Sequence, residues 1–206
     1  MLTSKYITER GGTMNNNERW LIEESRKGNV DAFEELIKDY KRSAYNIALR
    51  VMRNVEDAED ASQEALIKIF KNISSFNMDS TFKVWMYRIV VNTCIDFKRR
   101  KSINAVSIDE TIDLGSGREI QREISDESNN PDALIERNYS TQLVNDAINM
   151  LEDDFKTIII LRDIKGFTYD EISEILACNL GTVKSRLSRG RKRLKELLEK
   201  EMKANS

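Results

Sequence analysis

The stretch "GTVKSRLSRGRKRLKELL", Gly181 to Leu198, carries seven basic residues (Lys184, Arg186, Arg189, Arg191, Lys192, Arg193, Lys195) before its first acid, Glu196. Val183, Leu187, Leu194 and Leu198 recur at helical spacing, so one side packs and the others are cationic. A merely solvated helix mixes Glu with Lys for i,i+4 pairing. Here the like charges repel unless a polyanion is present. Gly181 and Thr182 stand at the start, where free backbone N–H groups and a hydroxyl suit phosphate. Lys184, Ser185 and Arg186 follow, where a recognition helix meets base edges. The helix "YDEISEIL" and the short turn "ACNL" come before, giving a helix-turn-helix pattern.

Two further stretches could carry chemistry. "STFKVWMYRIVVNTCIDFKRRK" interleaves Phe82, Trp85, Tyr87 and Phe97 with Lys83, Arg88, Lys98, Arg99, Arg100 and Lys101, and Phe76 lies just before it. Aromatic faces beside cations hold single-stranded bases. The alternative, a core role, is expected for Phe82 and Phe97. Asn92 is an amide on an otherwise apolar stretch, suited to a base edge or to a satisfied buried position. "EDAEDASQE" places Asp57, Asp60 and Glu64 on one side of a helix, flanked by Glu56 and Glu59. It lacks the Gly turn of a calcium loop, so a docking surface for a protein partner fits better than a metal site or a nuclease centre.

Composition narrows the field. The 206 residues include no His, the commonest general base and metal ligand. Cys94 and Cys178 are too few for a structural zinc site and are expected to be reduced thiols of a cytoplasmic protein. No metal, cofactor or catalytic residue is expected. No apolar run approaches the roughly 20 residues of a membrane span. The net charge of −2 hides a split. Residues 1–101 carry 18 basic against 15 acidic side chains, 102–140 carry 3 against 9, and 141–206 carry 12 against 11. Local patches rather than net charge make an electrostatic footprint.

The elements that must position these residues are helical. "DAFEELIKDYKRSAYNIALRVM" aligns Phe33, Leu36, Ile37, Tyr40, Ala44, Ile47 and Ala48. A second helix, capped by Asn54, aligns Ala58, Ala61, Ala65, Leu66 and Ile69. "FNMDST" reads as a loop. In the third helix Phe82, Trp85, Ile89, Asn92 or Thr93, and Asp96 are expected on one side, with the helix ending in Lys98–Lys101. Residues 102–140 hold the only Pro, Pro131, and read as a flexible acidic linker. Four helices follow from Gln142, with a Thr168–Glu171 capping box on the third. The expected fold is all-α: two small helical domains, 17–101 and 141–200, joined by the linker, with tails at 1–16 and 201–206. Arg10-Gly11-Gly12 can be encoded by a run like a ribosome-binding site, so Met14 is expected as the natural start.

"DAFEELIKDY", "VEDAEDASQEALIKIFKNI", "FKVWMYRIVVNTCIDFKRRK" and "FTYDEISEILACNLGTVKSRLSRGRKRLKELL" resemble, in this order, the motifs of bacterial sigma factors of the extracytoplasmic-function class. The resemblance covers about Asp31–Lys101 and Gln142–Leu198. It implies that the first domain is sigma region 2 and the last is region 4. Asp57, Asp60, Gln63, Glu64 and Ile67 would then dock on the β′ clamp coiled coil of core RNA polymerase. Phe76, Trp85, Arg88, Asn92, Asp96, Arg99 and Arg100 would melt and hold the −10 element. Thr182, Lys184, Ser185, Arg186, Ser188 and Arg189 would read the −35 element, with the earlier region 4 helices on the β flap. An anti-sigma factor is a further expected partner. The family often has Gly where Met78 and Ala177 stand, and Ser where Asn179 stands. The competing reading from the residues alone is a helix-turn-helix regulator that binds duplex DNA without polymerase.

Overall fold

The computed structural model describes residues 16–107 and 131–204, and the leading tail, the proposed Met14 start and most of the acidic linker lie outside them. The described residues form α1 (Asn16–Arg26), α2 (Val30–Met52), α3 (Val55–Asn72), α4 (Phe82–Ser107), α5 (Pro131–Asn149), α6 (Asp153–Ile159), α7 (Tyr169–Ile175) and α8 (Leu180–Ala204). A 3₁₀ turn (Ile73–Ser75) follows α3, and a π turn (Ile160–Ile164) extends α6. No strand occurs among the described residues.

Caps set several boundaries. Asn29 and Asn54 accept from Ala32 N–H and Asp57 N–H, starting α2 and α3. The Thr168–Glu171 capping box is complete and starts α7. Asn179 Oδ1 accepts from Thr182 N–H at 2.7 Å and starts α8. Three boundaries differ from expectation. α4 runs past Lys101 to Ser107, α5 begins at Pro131 inside the expected linker, and α8 runs into the expected tail as far as Ala204. Pro131 begins its helix because the first helical position needs no N–H donor and favours the fixed φ of proline.

α1 to α4 pack on the stripes read from sequence: Phe33, Leu36, Ile37, Ala44, Ile47 and Ala48 from α2, and Ala58, Ala61, Ala65 and Ile69 from α3. The alanines of α3 let α2 and α4 approach closely. The C-terminal half packs α6 and α5 against α8, whose Val183 and Leu187 are buried. Gly190 lies in that contact. A Cβ there would be 3.2 Å from Phe155 Cβ and 3.3 Å from Ile159 Cδ1, so α6 and α8 meet where a side chain is absent.

α4 is the odd helix. Phe82, Val84, Met86, Tyr87, Val90, Val91, Thr93 and Cys94 are all buried, which covers far more of its circumference than a surface helix hides. One side faces α2 and α3; another meets α7 of the C-terminal half. The two halves, expected as tethered modules, therefore share one continuous apolar cluster in this structure.

Candidate nucleic-acid interface

The side of α4 left to solvent carries Arg88, Asn92, Ile95 and Arg99, spaced three or four residues apart. Asn92 is exposed, so it is not the satisfied buried amide that sequence left open. Trp85 is half-buried at the head of this stripe, and Asp96 flanks it while pairing with Arg99 at 3.0 Å. The expected single side of α4 is split. Phe82 and Thr93 turn into the core, whereas Asn92 faces out.

Phe76 requires a correction. It is 1% exposed and packs edge-on against Phe82 at 5.7 Å and tilted against Trp85 at 5.3 Å. Its ring is core, and in this geometry no base can stack on it. Its task is to anchor the loop before α4 and to back the Trp85 ring. Arg26, which sequence did not single out, fixes the same loop by donating to the carbonyls of Phe76 and Ile73. At the loop's turn Met78 has φ +64°, a left-handed conformation suited to glycine.

The acidic face of α3 is divided. Asp60, Gln63 and Ile67 are exposed, Ile67 at 55%, a large aliphatic side chain set among carboxylates. Asp57 and Glu64 turn toward α4 instead. Lys101 donates to Asp57 at 2.7 Å, and Glu64 takes Arg100 at 2.6 Å and Lys68 at 2.8 Å. Hydrogen bonds from Lys68 and Arg100 hold the Glu64 carboxyl below its ordinary value. These carboxylates are engaged with cations of their own chain, which is not how an open metal site is built.

On α8 the cations divide as well. Arg191 pairs with Asp163, Arg193 with Glu196 and Arg186 with Asp154. Lys184 and Arg189 point to solvent beside Ser185 and Ser188, and among the described residues no acid pairs with Lys184 or with Arg189. Thr182 and Arg186 are half-buried on the flank of the same turns. α7 supports this face from behind through Ile172 and Ile175. The connecting turn holds Ala177 at φ +49° and is closed by Ser173 Oγ donating to the carbonyl of Cys178. This is a support helix, a tight turn and a second helix with a free basic N-terminal face, the geometry that enters a major groove.

The two faces match two separate family models. Residues 36–103 match sigma-70 region 2, and residues 141–194 match sigma-70 region 4. The chain is 33% identical to the ECF RNA polymerase sigma factor SigW of Bacillus subtilis over 177 residues, 86% of this chain and 94% of that protein. The chain belongs to the extracytoplasmic-function sigma factors. It is 35% identical to the ECF sigma-E factor of Escherichia coli K12 over 175 residues, covering 83% of this chain and 88% of that one. Among solved structures, the sigma factor RpoE of Bartonella quintana, crystallised with the anti-sigma factor NepR, superposes with a TM-score of 0.66 at 28% identity. That match covers 81% of this chain and 96% of that chain. CnrH, solved with the cytosolic domain of CnrY, shares the fold at a TM-score of 0.61 and 20% identity. As a sigma factor the chain binds core RNA polymerase and directs promoter-specific initiation of transcription. No helix among the described residues is long and apolar enough to cross a membrane.

Proposed function

We propose that the two exposed basic faces divide promoter recognition between duplex and single strand. The carrying observation is their difference in build: α8 offers free cations on a one-sided helix, while α4 offers an arginine–amide stripe headed by a half-buried indole. Thr182, Lys184, Ser185, Arg186, Ser188 and Arg189 read the −35 element, phosphate contacts fixing register and Arg186 meeting base edges. Trp85, Arg88, Asn92, Arg99 and Arg100 hold the melted −10 strand, with Asp96 orienting Arg99. Phe76 backs the Trp85 ring from within the core. Asp60, Gln63 and Ile67 make the exposed centre of the polymerase-docking face, with Asp57 and Glu64 at its rim against α4.

Mechanism follows from these faces without a catalytic residue. Each module binds weakly, and fixing both on one polymerase surface raises their effective concentration on the promoter. Captured unstacked bases shift the closed–open balance, and a flipped base costs a few kcal/mol that its contacts must offset. The factor acts in the cytoplasm as a non-enzymatic initiation factor, and an anti-sigma factor is its proposed regulator, as in the RpoE–NepR complex.

The test is a titration of purified protein into sigma-free core polymerase, scored by run-off transcription on a promoter library. Specific initiation that requires this chain is expected, with salt dependence near −0.9 per phosphate neutralised. Tight duplex binding with no core binding would overturn the reading. Trp85→Ala should impair strand opening more than core binding, and unchanged open-complex formation would remove Trp85 from the single-strand site.

A further inference from the structure

The loop between α3 and α4 is fastened from a third helix. α1 meets the 3₁₀ turn that opens the loop. Arg26, in the last turn of α1, donates through Nη2 to the carbonyl of Phe76 and, at 3.5 Å, through Nε to the carbonyl of Ile73, partners 50 and 47 residues away in sequence. Glu23 holds the same guanidinium at 2.7 Å. The end of α1 is itself fixed. Gly28 takes φ +87°, and the N–H groups of Gly28 and Asn29 donate to the carbonyls of Ser25 and Glu24 at 3.0 and 3.2 Å. A left-handed glycine of this kind closes a helix with its last carbonyls satisfied, so Arg26 leaves a helix end of defined geometry.

The rest of the loop is short. At its far end Thr81 Oγ1 accepts from Val84 N–H at 3.3 Å and the Thr81 carbonyl from Trp85 N–H at 3.1 Å, which ties it to the start of α4. In between, Asn77 and Asp79 are exposed and hydrogen-bond to each other across the left-handed Met78. That turn closes on itself, so its height against α4 is set at its two ends. The near end is Phe76, whose ring touches Trp85 and whose carbonyl is held by Arg26.

Arg26 is not placed like the arginines of the α4 stripe. Its side chain is 23% exposed, against 71% for Arg99. Its planar fork is directed at backbone carbonyls and a carboxylate of its own chain, a set that suits arginine better than lysine. A charged donor on a carbonyl is among the stronger single hydrogen bonds. From Arg26 to the head of the single-strand stripe there are two contacts, guanidinium to Phe76 and Phe76 to Trp85.

We propose that Arg26 is a positioning residue for strand opening: from the end of α1 it sets the loop of residues 76–81 against Trp85, and so fixes the place beside the indole where an unstacked −10 base is received. Arg26 itself touches no base. The proposal rests on the reading of α4 as the single-strand face, and the hold on the loop is measurable without DNA.

The test has two readouts. The chain has two tryptophans, so Trp20→Phe leaves Trp85 as the lone reporter. In that background Arg26→Ala should make Trp85 fluorescence more open to acrylamide quenching. The second readout is binding of a −10 single strand, from a promoter selected in the run-off screen, to holoenzyme built with each full-length variant. Arg26→Ala should bind the intact strand about three- to tenfold more weakly, the size of one such hydrogen bond. Abasic substitution along the strand should show that Arg26→Ala and Trp85→Ala lose dependence on the same base, whereas a general loss of stability would weaken every strand alike. Arg26→Lys keeps a cation that reaches one carbonyl, and should lie between wild type and Arg26→Ala in both readouts. Unchanged quenching or unchanged strand affinity in Arg26→Ala would overturn the proposal. So would equal losses on intact and abasic strands with a shallower salt dependence, which would make Arg26 a phosphate contact. If Trp85→Ala also leaves strand affinity unchanged, the reading of α4 has failed; if Trp85→Ala weakens it and Arg26→Ala does not, only the role of Arg26 has.

Discussion

Among the described residues α4 and α8 are the two longest helices, at 26 and 25 residues, and both are rich in lysine and arginine, yet they are built in opposite ways. α8 buries one stripe and leaves the rest of its N-terminal half in water. α4 is buried on two sides and exposes a single stripe. Its terminal cations Arg100 and Lys101 are held by Glu64 and Asp57 of α3, whereas Lys184 and Arg189 of α8 are free among the described residues. A duplex is a dense, preformed array of phosphates, so a helix that reads it needs free charge and clearance on both flanks. A melted strand is sparse and pliable. A helix that holds it gains more from rigid aromatic and amide groups set into a packed domain.

The largest test of this contrast is Phe76. As a ring fully buried behind Trp85, its replacement in Phe76→Ala should cost about 3–5 kcal/mol of stability, read as a lowered urea midpoint. Phe76→Leu keeps most of the volume and should retain promoter opening once folded. If Phe76→Leu folds normally and fails to open promoters, Phe76 acts on bases after all.

On α8 the matching change is Arg186→Ala, which should weaken −35 discrimination by about 1–3 kcal/mol. Holoenzyme titrations on matched and single-base-changed promoters give the number. Equal losses on all sequences would mark Arg186 as a phosphate contact and leave base reading to its neighbours. Because Arg186 is paired with Asp154 at 2.8 Å, part of any loss reflects the freed Asp154 carboxylate facing DNA.

The contrast was half visible in the sequence. The one-sided spacing of Val183 and Leu187, the absence of acid from Gly181 to Lys195, and the Asn54 and Thr168 caps are local signals, and the structure keeps each of them. α4 was harder. Its apolar residues recur on nearly every side, so periodicity could not say that Asn92 faces out while Thr93 faces in. Phe76 misled because interleaved aromatics and cations look alike whether the rings face solvent or core. The seam between the halves was invisible for a different reason. Ser43 and Tyr87 are far in sequence from Lys156, Lys165 and Phe167, the last two of which they touch, and nothing in "KTIIILRDIKGF" signals a π turn or marks Lys156 as buried.

That buried lysine gives a pH-dependent test of the seam. Burial, with Arg53 nearby, pushes the Lys156 ammonium down to about 7 from its ordinary 10.5. A cation whose native value is depressed is destabilising when protons are plentiful. Stability contributed at this site therefore rises with pH from about 7 toward 10.5 and is flat below. Lys156→Met removes the orphaned ammonium and should stabilise the chain at pH 7 by about 1–2 kcal/mol. Its advantage over wild type, followed by urea unfolding, should shrink between pH 7 and 9.5. A constant advantage across that range would mean that Lys156 reaches water.

The smallest expected effect compares the turns that set up the two faces. Met78 before α4 and Ala177 before α8 both hold left-handed backbone, at φ +64° and +49°. A residue with a Cβ is strained there by about 1–2 kcal/mol, and glycine gives back part of that gain through its freer unfolded chain. Ala177 is exposed, so Ala177→Gly removes no buried contact and should stabilise the chain by about 0.5–1 kcal/mol. Met78 packs against the core cluster, so Met78→Gly loses apolar contact along with strain, and the two terms should nearly cancel. Thermal unfolding of the pair measures the difference directly. If both glycine variants stabilise equally, the Met78 side chain contributes nothing to the loop. If Met78→Gly also slows strand opening, the side chain shapes the site into which a base is drawn.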